Sequence, residues 1–238
     1  MIKLNYTFIE QSALLQTDPQ YINEQAPYIL EVAARTCTDT TDTAHILERH
    51  ASEQFIKRAI MARKHYSVLE HVHLSFTLKT TRALANQIVR HRLASYCQQS
   101  TRYVNKATGN KPVEIVLPVG FENKSEAYRL VWKHSVMRSV DSYVNLIKEL
   151  GAKTEEARDV LPLATATELY ATWNLRELFH ILHHPVSGRW ANKNAQADIR
   201  HLFEQVYYAI YRNLPFIFEL AEMYRMQVYP NSAAPTFK

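Results

Sequence analysis

The amino-acid sequence predicts an α+β fold: a single domain over residues 1–238, with a mixed or antiparallel sheet and several long helices. Three observations carry this expectation. Residues 125–150 place Val136, Val140, Val144 and Ile147 on one stripe at helical spacing. Residues 70–80 (EHVHLSFTLKT) switch to a period of two, the mark of a half-buried strand. Strand and helix patterns then alternate without a regular βα rhythm, and neither an internal repeat nor a Gly/Ser linker interrupts them.

The elements follow in chain order. Residues 24–35 (EQAPYILEVAAR) predict a helix with Ile29, Val32 and Ala33 on one face, and Ala51 to Lys64 predict a second with Phe55, Ala59 and Ile60 inward. In the strand of residues 70–80, Val72, Leu74, Phe76 and Leu78 alternate with His71, His73, Ser75 and Thr77. Thr81 is placed to cap a short helix carrying Leu84, Ala85, Ile88 and Val89, so Arg90–His91–Arg92 falls at its C-terminal end. VEIVL (113–117) reads as a strand stopped by Pro118. The long helix of 125–150 meets Gly151 as its stop, and a brief one over Glu155–Leu161 ends at Pro162. TATELYATW (165–173) is a strand. Asn174 and Glu177 have capping-box spacing for a helix that Pro185 terminates, and a final long helix starts near Asn194 with Ile199, Leu202, Phe203, Val206 and Ile210 inward.

Composition narrows the function. The formal charge of +5 favours anionic partners, and because no Lys/Arg block concentrates it, a nucleic-acid arm is not expected. Four glycines are too few for a Gly-rich phosphate loop, which leaves side chains and helix ends to hold any phosphate. Cys37 and Cys97 make no disulfide framework and neither has the surroundings of a nucleophile. The opening MIKLNYTFIEQS is too polar for a signal peptide, and no apolar run approaches the ~18 residues of a membrane span. A cytoplasmic protein, with no membrane partner, is the expectation.

Several constellations stand out. Arg90, His91 and Arg92 precede a run of hydrogen-bonding groups (Ser95, Gln98, Gln99, Ser100, Thr101) closed by Arg102–Tyr103, with no carboxylate in the stretch. The helix dipole explains each cation singly, at roughly 0.3–1 kcal/mol, but not the polar run behind them. His65, Ser67, Glu70, His71 and His73 invite a zinc hypothesis, yet the spacing matches no metal motif and no third ligand is evident. Satisfied polar groups beside a cofactor or on the sheet are the better account. Arg158 sits in ARDVLP, Asn174, Arg176 and His180 in NLRELFHILHH, and Arg189 in RWANKNAQADIR. Arg176 and His180 share a face near a helix N-terminus, where anions are favoured.

Taken together these motifs resemble the flavin-dependent thymidylate synthases. RHRLASYCQQSTRY is similar to the RHR-x7-S signature of that family, with Arg90, His91, Arg92 and Ser100 at its fixed positions and Arg102–Tyr103 at its usual ending. HYSVLEH, NQIVRHR, ARDVLP, TWNLRELFHIL and AQADIR extend the resemblance over most of the chain. It implies a homotetramer with active sites at subunit interfaces, FAD reduced by NADPH, and methylation of dUMP to dTMP with 5,10-methylenetetrahydrofolate as methylene donor. It further implies that Arg90, His91, Arg92, His65, Ser67, Gln98, Asn174, Arg176 and His180 hold FAD. Gln87, Arg90, Gln98, Ser100, Arg102, Arg158 and Arg189 would hold dUMP, and Arg189 would be the catalytic residue that stabilises the uracil as its N3 loses a proton. No metal is implied. Cys97–Gln98 stand where the family often has Asn-Glu, and Cys37 where it often has a flavin-touching Ser. The loop before AQADIR is longer than the family's, with His183, His184 and Pro185 in the arginine's usual region. Rival readings are an FAD-binding relative without methyl transfer, a basic nucleic-acid-binding protein and a histidine metal hydrolase.

Overall fold

The alternation in residues 70–80 does form a strand, but a later one than its period suggests. In the computed structural model, which describes residues 5–37, 53–107 and 112–232, Tyr66–His71 is a 3-10 turn and the strand β3 runs His73–Thr81. His71 therefore does not share a strand face with His73. The other strands are β1 (Tyr6–Ile9), β2 (Ser12–Leu15), β4 (Ala94–Gln98), β5 (Val113–Val116) and β6 (Ala166–Asn174). The helices are α1 (Pro19–Thr36), α2 (Glu53–Ile56), α3 (Arg82–Ile88), α4 (Glu126–Lys148), α5 (Thr154–Ala157), α6 (Leu175–His183), α7 (Ala197–Asn213) and α8 (Pro215–Val228). The helix expected over 51–64 is α2 followed by a π-helical turn, Lys57–Ala62; its first two residues lie outside the described ones.

Local chemistry accounts for most ends. Asp18 caps α1 by accepting from the Gln20 and Tyr21 amides, with Pro19 at the first helical position. Thr81 accepts from Leu84 N at 3.0 Å and Ser125 from Tyr128 N at 3.3 Å. After α4 the chain reverses through Gly151 at φ +68°, a left-handed conformation that costs other residues strain.

A four-stranded sheet has the order β2-β3-β6-β4, and a two-stranded one pairs β1 with β5 in parallel, Tyr6 opposite Val113. β3 and β6 are antiparallel: Leu175 N donates to Val72 O and Arg82 N to Thr165 O, so one strand's numbers rise as the other's fall. Ser75 and Thr172 share a hydroxyl hydrogen bond at the matching register.

The chain divides into two compact units, Met1–Ser12 with Leu78–Arg90 and Tyr96–Tyr170, and Ala13–Thr77 with His91–Ser95 and Ala171–Lys238. In the first, the apolar stripe of α4 (Val136, Val140, Val144) packs with Val113, Ile115 and Ala157. In the second, the core includes Phe76, Trp173, Leu178, Phe179 and Phe203, none exposed. Glu31, also fully buried there, pairs with Arg35 Nε at 2.7 Å.

Candidate active site

Within the second unit, the signature histidine is the centre of a hydrogen-bonded chain. His91 lies in the middle of the loop between α3 and β4 and is 9% exposed. Its Nδ1 lies 3.2 Å from Glu177 Oε1, and Arg189 Nε donates to its Nε2 at 2.9 Å. A guanidinium N–H can only donate, so Nε2 must offer a lone pair and the ring proton sits on Nδ1, donating to Glu177. Glu177 is placed by α6: Asn174 caps that helix by accepting from the Glu177 amide at 2.8 Å. This is one arm of the expected capping box. The other arm is absent because the Glu177 carboxylate turns to His91.

Arg189 is placed by the loop after α6. Its amide donates to Ile181 O at 2.7 Å and that of Ala191 to Leu182 O at 2.9 Å. Gly188 N donates to His184 O, and a Cβ at Gly188 would fall 2.3 Å from that same oxygen. Only glycine permits this approach. Trp190 then stacks on Tyr207, ring centroids 4.4 Å apart and 16° between planes.

His180, three residues past Glu177 on α6, lies 6.5 Å from His91 ring to ring. Its nitrogens meet Tyr229 Oη and Ser187 Oγ, each at 3.1 Å. Burial first, with His184 and His91 adding to it and Glu177 opposing, pulls its pKa below the ordinary histidine value. Arg176 pairs with Glu70 Oε1 at 2.5 Å, and that hydrogen bond raises its pKa further. His65 and Ser67 are exposed at the start of the 3-10 turn, with no hydrogen bond to the His91 chain.

Most arginines in the described residues that form ion pairs do so with a nearby carboxylate, as Arg35, Arg129 and Arg225 do. Arg90 and Arg92 are exposed and have no ion pair among the described residues. Cations flanking a fixed histidine and lacking carboxylates of their own suit the phosphates of a dinucleotide, so the donor set fits FAD.

The first unit holds the remaining residues. Arg102 Nε pairs with Glu155 Oε2 at 2.7 Å, and its amide donates to Ser100 Oγ at 3.1 Å. Glu155 lies on α5, whose end leads directly into Arg158. Arg82 at the start of α3 is pulled below its ordinary pKa by burial first and by Arg158 second, and its buried Nη1 has no partner among the described residues. Two arginines repelling each other, one with an orphaned N–H, are relieved by an anion. Gln98 Nε2 donates to Thr167 Oγ1 at 3.4 Å, and Gln87 is half-buried on α3. Lys106, unmarked by any motif, buries its ammonium against Gln99 Oε1 (2.9 Å) and Ala166 O (3.1 Å), and burial lowers its pKa. Sequence reasoning also missed Glu177 beyond its helix-start role, since its partner lies 86 residues away. Its only signal was a carboxylate at N3.

The family model described as thymidylate synthase complementing protein matches residues 20–216. Among curated relatives, a flavin-dependent thymidylate synthase of Geobacter sulfurreducens is 34% identical over 87% of this chain and 84% of its own length. One from Thermococcus onnurineus is 37% identical over 59% of this chain, which spans only 55% of that protein. A UMP/dUMP methylase of Streptomyces cacaoi bound with 5-Br dUMP has a similar fold, with a TM-score of 0.65 at 23% identity over 90% of this chain and 95% of that one. A thymidylate synthase X of Helicobacter pylori with FAD and dUMP superposes with a TM-score of 0.60 at 19% identity, over 89% and 98%. With a family match over most of its length and a relative at that identity over seven-eighths of it, the chain belongs to the thymidylate synthase complementing proteins, the flavin-dependent thymidylate synthases.

Proposed function

We propose that this chain converts dUMP to dTMP, taking the methylene from 5,10-methylenetetrahydrofolate. In sum, dUMP, methylenetetrahydrofolate, NADPH and a proton give dTMP, tetrahydrofolate and NADP⁺. Bound FAD, reduced by NADPH, would supply the hydride that turns the transferred carbon into a methyl group. The carrying observation is His91, buried and held between Glu177 and Arg189, with Arg90 and Arg92, which form no ion pair among the described residues, on either side.

In this reading Arg90, His91 and Arg92 hold FAD together with His65, Ser67, Gln98, Asn174, Arg176 and His180. Gln87, Arg90, Gln98, Ser100, Arg102 and Arg158 hold dUMP. The Arg82–Arg158 repulsion supports a phosphate at that place, and the Arg102 fork would leave Glu155 for it. Arg189 stabilises the uracil as N3 gives up its proton, an electrostatic role suited to a guanidinium that stays charged. The assembly is a homotetramer with subunits sharing active sites, in the cytoplasm. Among the described residues no helix is long and apolar enough to cross a membrane.

Purified protein mixed with FAD gives the test. An oxidised flavin spectrum should bleach with NADPH and recover with dTMP formation once dUMP and methylenetetrahydrofolate are added. Failure to take up FAD would overturn the reading. Bleaching without dTMP would identify a flavoprotein without methyl transfer, the reading that Gln98 in place of the family's common Glu keeps open.

A further inference from the structure

We propose that Glu177 is a positioning residue that sets the tautomer of His91 and, through it, the aim of the Arg189 guanidinium. The inference rests on the proposed role of Arg189, and its geometry stands independently of that role. Nothing about a helix N-terminus requires the arrangement. The cap on α6 uses the Asn174 side chain and the Glu177 backbone amide, so the Glu177 carboxylate is left over for another partner. It is turned instead onto the imidazole at 3.2 Å, with 12% of its side chain exposed.

The direction of each hydrogen bond gives the arrangement its meaning. Free imidazole in water favours the form with its proton on Nε2. Such a ring presents an N–H to Arg189, donor against donor, and the 2.9 Å contact could not form. Glu177, an acceptor when ionised, holds the proton on Nδ1 and so leaves the Nε2 lone pair facing Arg189. The Arg189 amide on Ile181 O fixes the Cα, and the His91 contact bears on where the side chain points. A partner that orients a ligating imidazole through its second nitrogen is a common device at metal centres. Here the same logic acts on a guanidinium. Among the described residues, the charged and titratable groups facing this ring include Glu177, Arg189 and, 6.5 Å away, His180.

The test begins on ligand-free protein with ¹⁵N-labelled histidine. Wild type should show His91 with its proton on Nδ1 at neutral pH, and Glu177→Ala should move it to a mixture rich in the Nε2–H form. Glu177→Gln, whose amide oxygen can still accept, should retain most of the Nδ1–H form. Because the cap uses only backbone at position 177, all three proteins should keep the same far-UV spectrum. In turnover, Glu177→Ala should lose roughly ten-fold or more in kcat, while Glu177→Ala combined with Arg189→Ala should be no slower than Arg189→Ala alone, the signature of two residues acting as one. Wild-type His91 carrying its proton on Nε2 or on both nitrogens overturns the proposal, as does an Nδ1–H form untouched by Glu177→Ala, or additive losses in the double variant. A wild type that makes no dTMP would refute the activity while leaving the spectroscopic test of Glu177 intact.

Discussion

His183 makes this protein acid-labile by a calculable amount. The residue is fully buried on α6, its ring edge-on to Trp190 and Tyr207 at 6.0 Å each, and neither nitrogen has a hydrogen-bond partner among the described residues. Burial first, and the Arg225 charge second, pull its pKa down to about 3. Unfolded, the same imidazole takes a proton near 6.5. Between those values the unfolded chain binds the extra proton, so stability falls as pH drops through 6.5 and the loss stops growing near 3. Each unit is worth about 1.4 kcal/mol, so the loss is about 2 kcal/mol at pH 5 and approaches about 5 kcal/mol at the limit. Urea unfolding of wild type and His183→Leu between pH 4.5 and 7.5 measures it. As pH falls, the stability of the wild type relative to the variant should drop, the wild type losing about one proton's worth of slope more. Parallel pH dependence in the two proteins would refute the argument, because the acid sensitivity would then belong to other groups.

Gly188→Ala drives a Cβ into His184 O and must displace the turn that carries Arg189; turnover should fall by roughly ten-fold or more with the Tm only modestly lowered, measured on one preparation. Asn174→Ala removes the α6 cap and should cost about 1 kcal/mol in denaturant unfolding, with Asn174→Ser recovering most of it. Arg92→Ala should weaken FAD binding by roughly ten-fold, read by flavin fluorescence titration, while unfolding in the absence of FAD stays close to wild type because the side chain is exposed and makes no ion pair among the described residues.

What was legible in the sequence is what short-range chemistry decides. Thr81 and Asn174 cap the helices they were expected to cap, and the stripe of α4 buries the valines its spacing selected. β1, β2 and β4 went unread because four or five residues give too few alternations, and β4 (ASYCQ) is half polar, with Ser95 and Cys97 exposed. The His71–His73 face was misjudged because a period of two continues into a 3-10 turn without betraying the change. In the candidate site, the residue types of the signature were plain, but the partners were not. Glu177 looked like part of a helix start, and Tyr229 and Glu155 belonged to no motif; each meets its partner only through folding, at separations of 86, 49 and 53 residues.

The loop after α6 can also be viewed as the end of that helix. Carbonyls in a last turn have no partners within their own helix, and here those of Ile181 and Leu182 receive the amides of Arg189 and Ala191. Fraying of the final turn and loss of the Arg189 position are therefore one event. This loop is not slack but a strap tied back to the helix it leaves. Amide exchange should report this, with the Arg189 and Ala191 amides opening in step with those of the last turn of α6 and slowing together when that helix is stabilised.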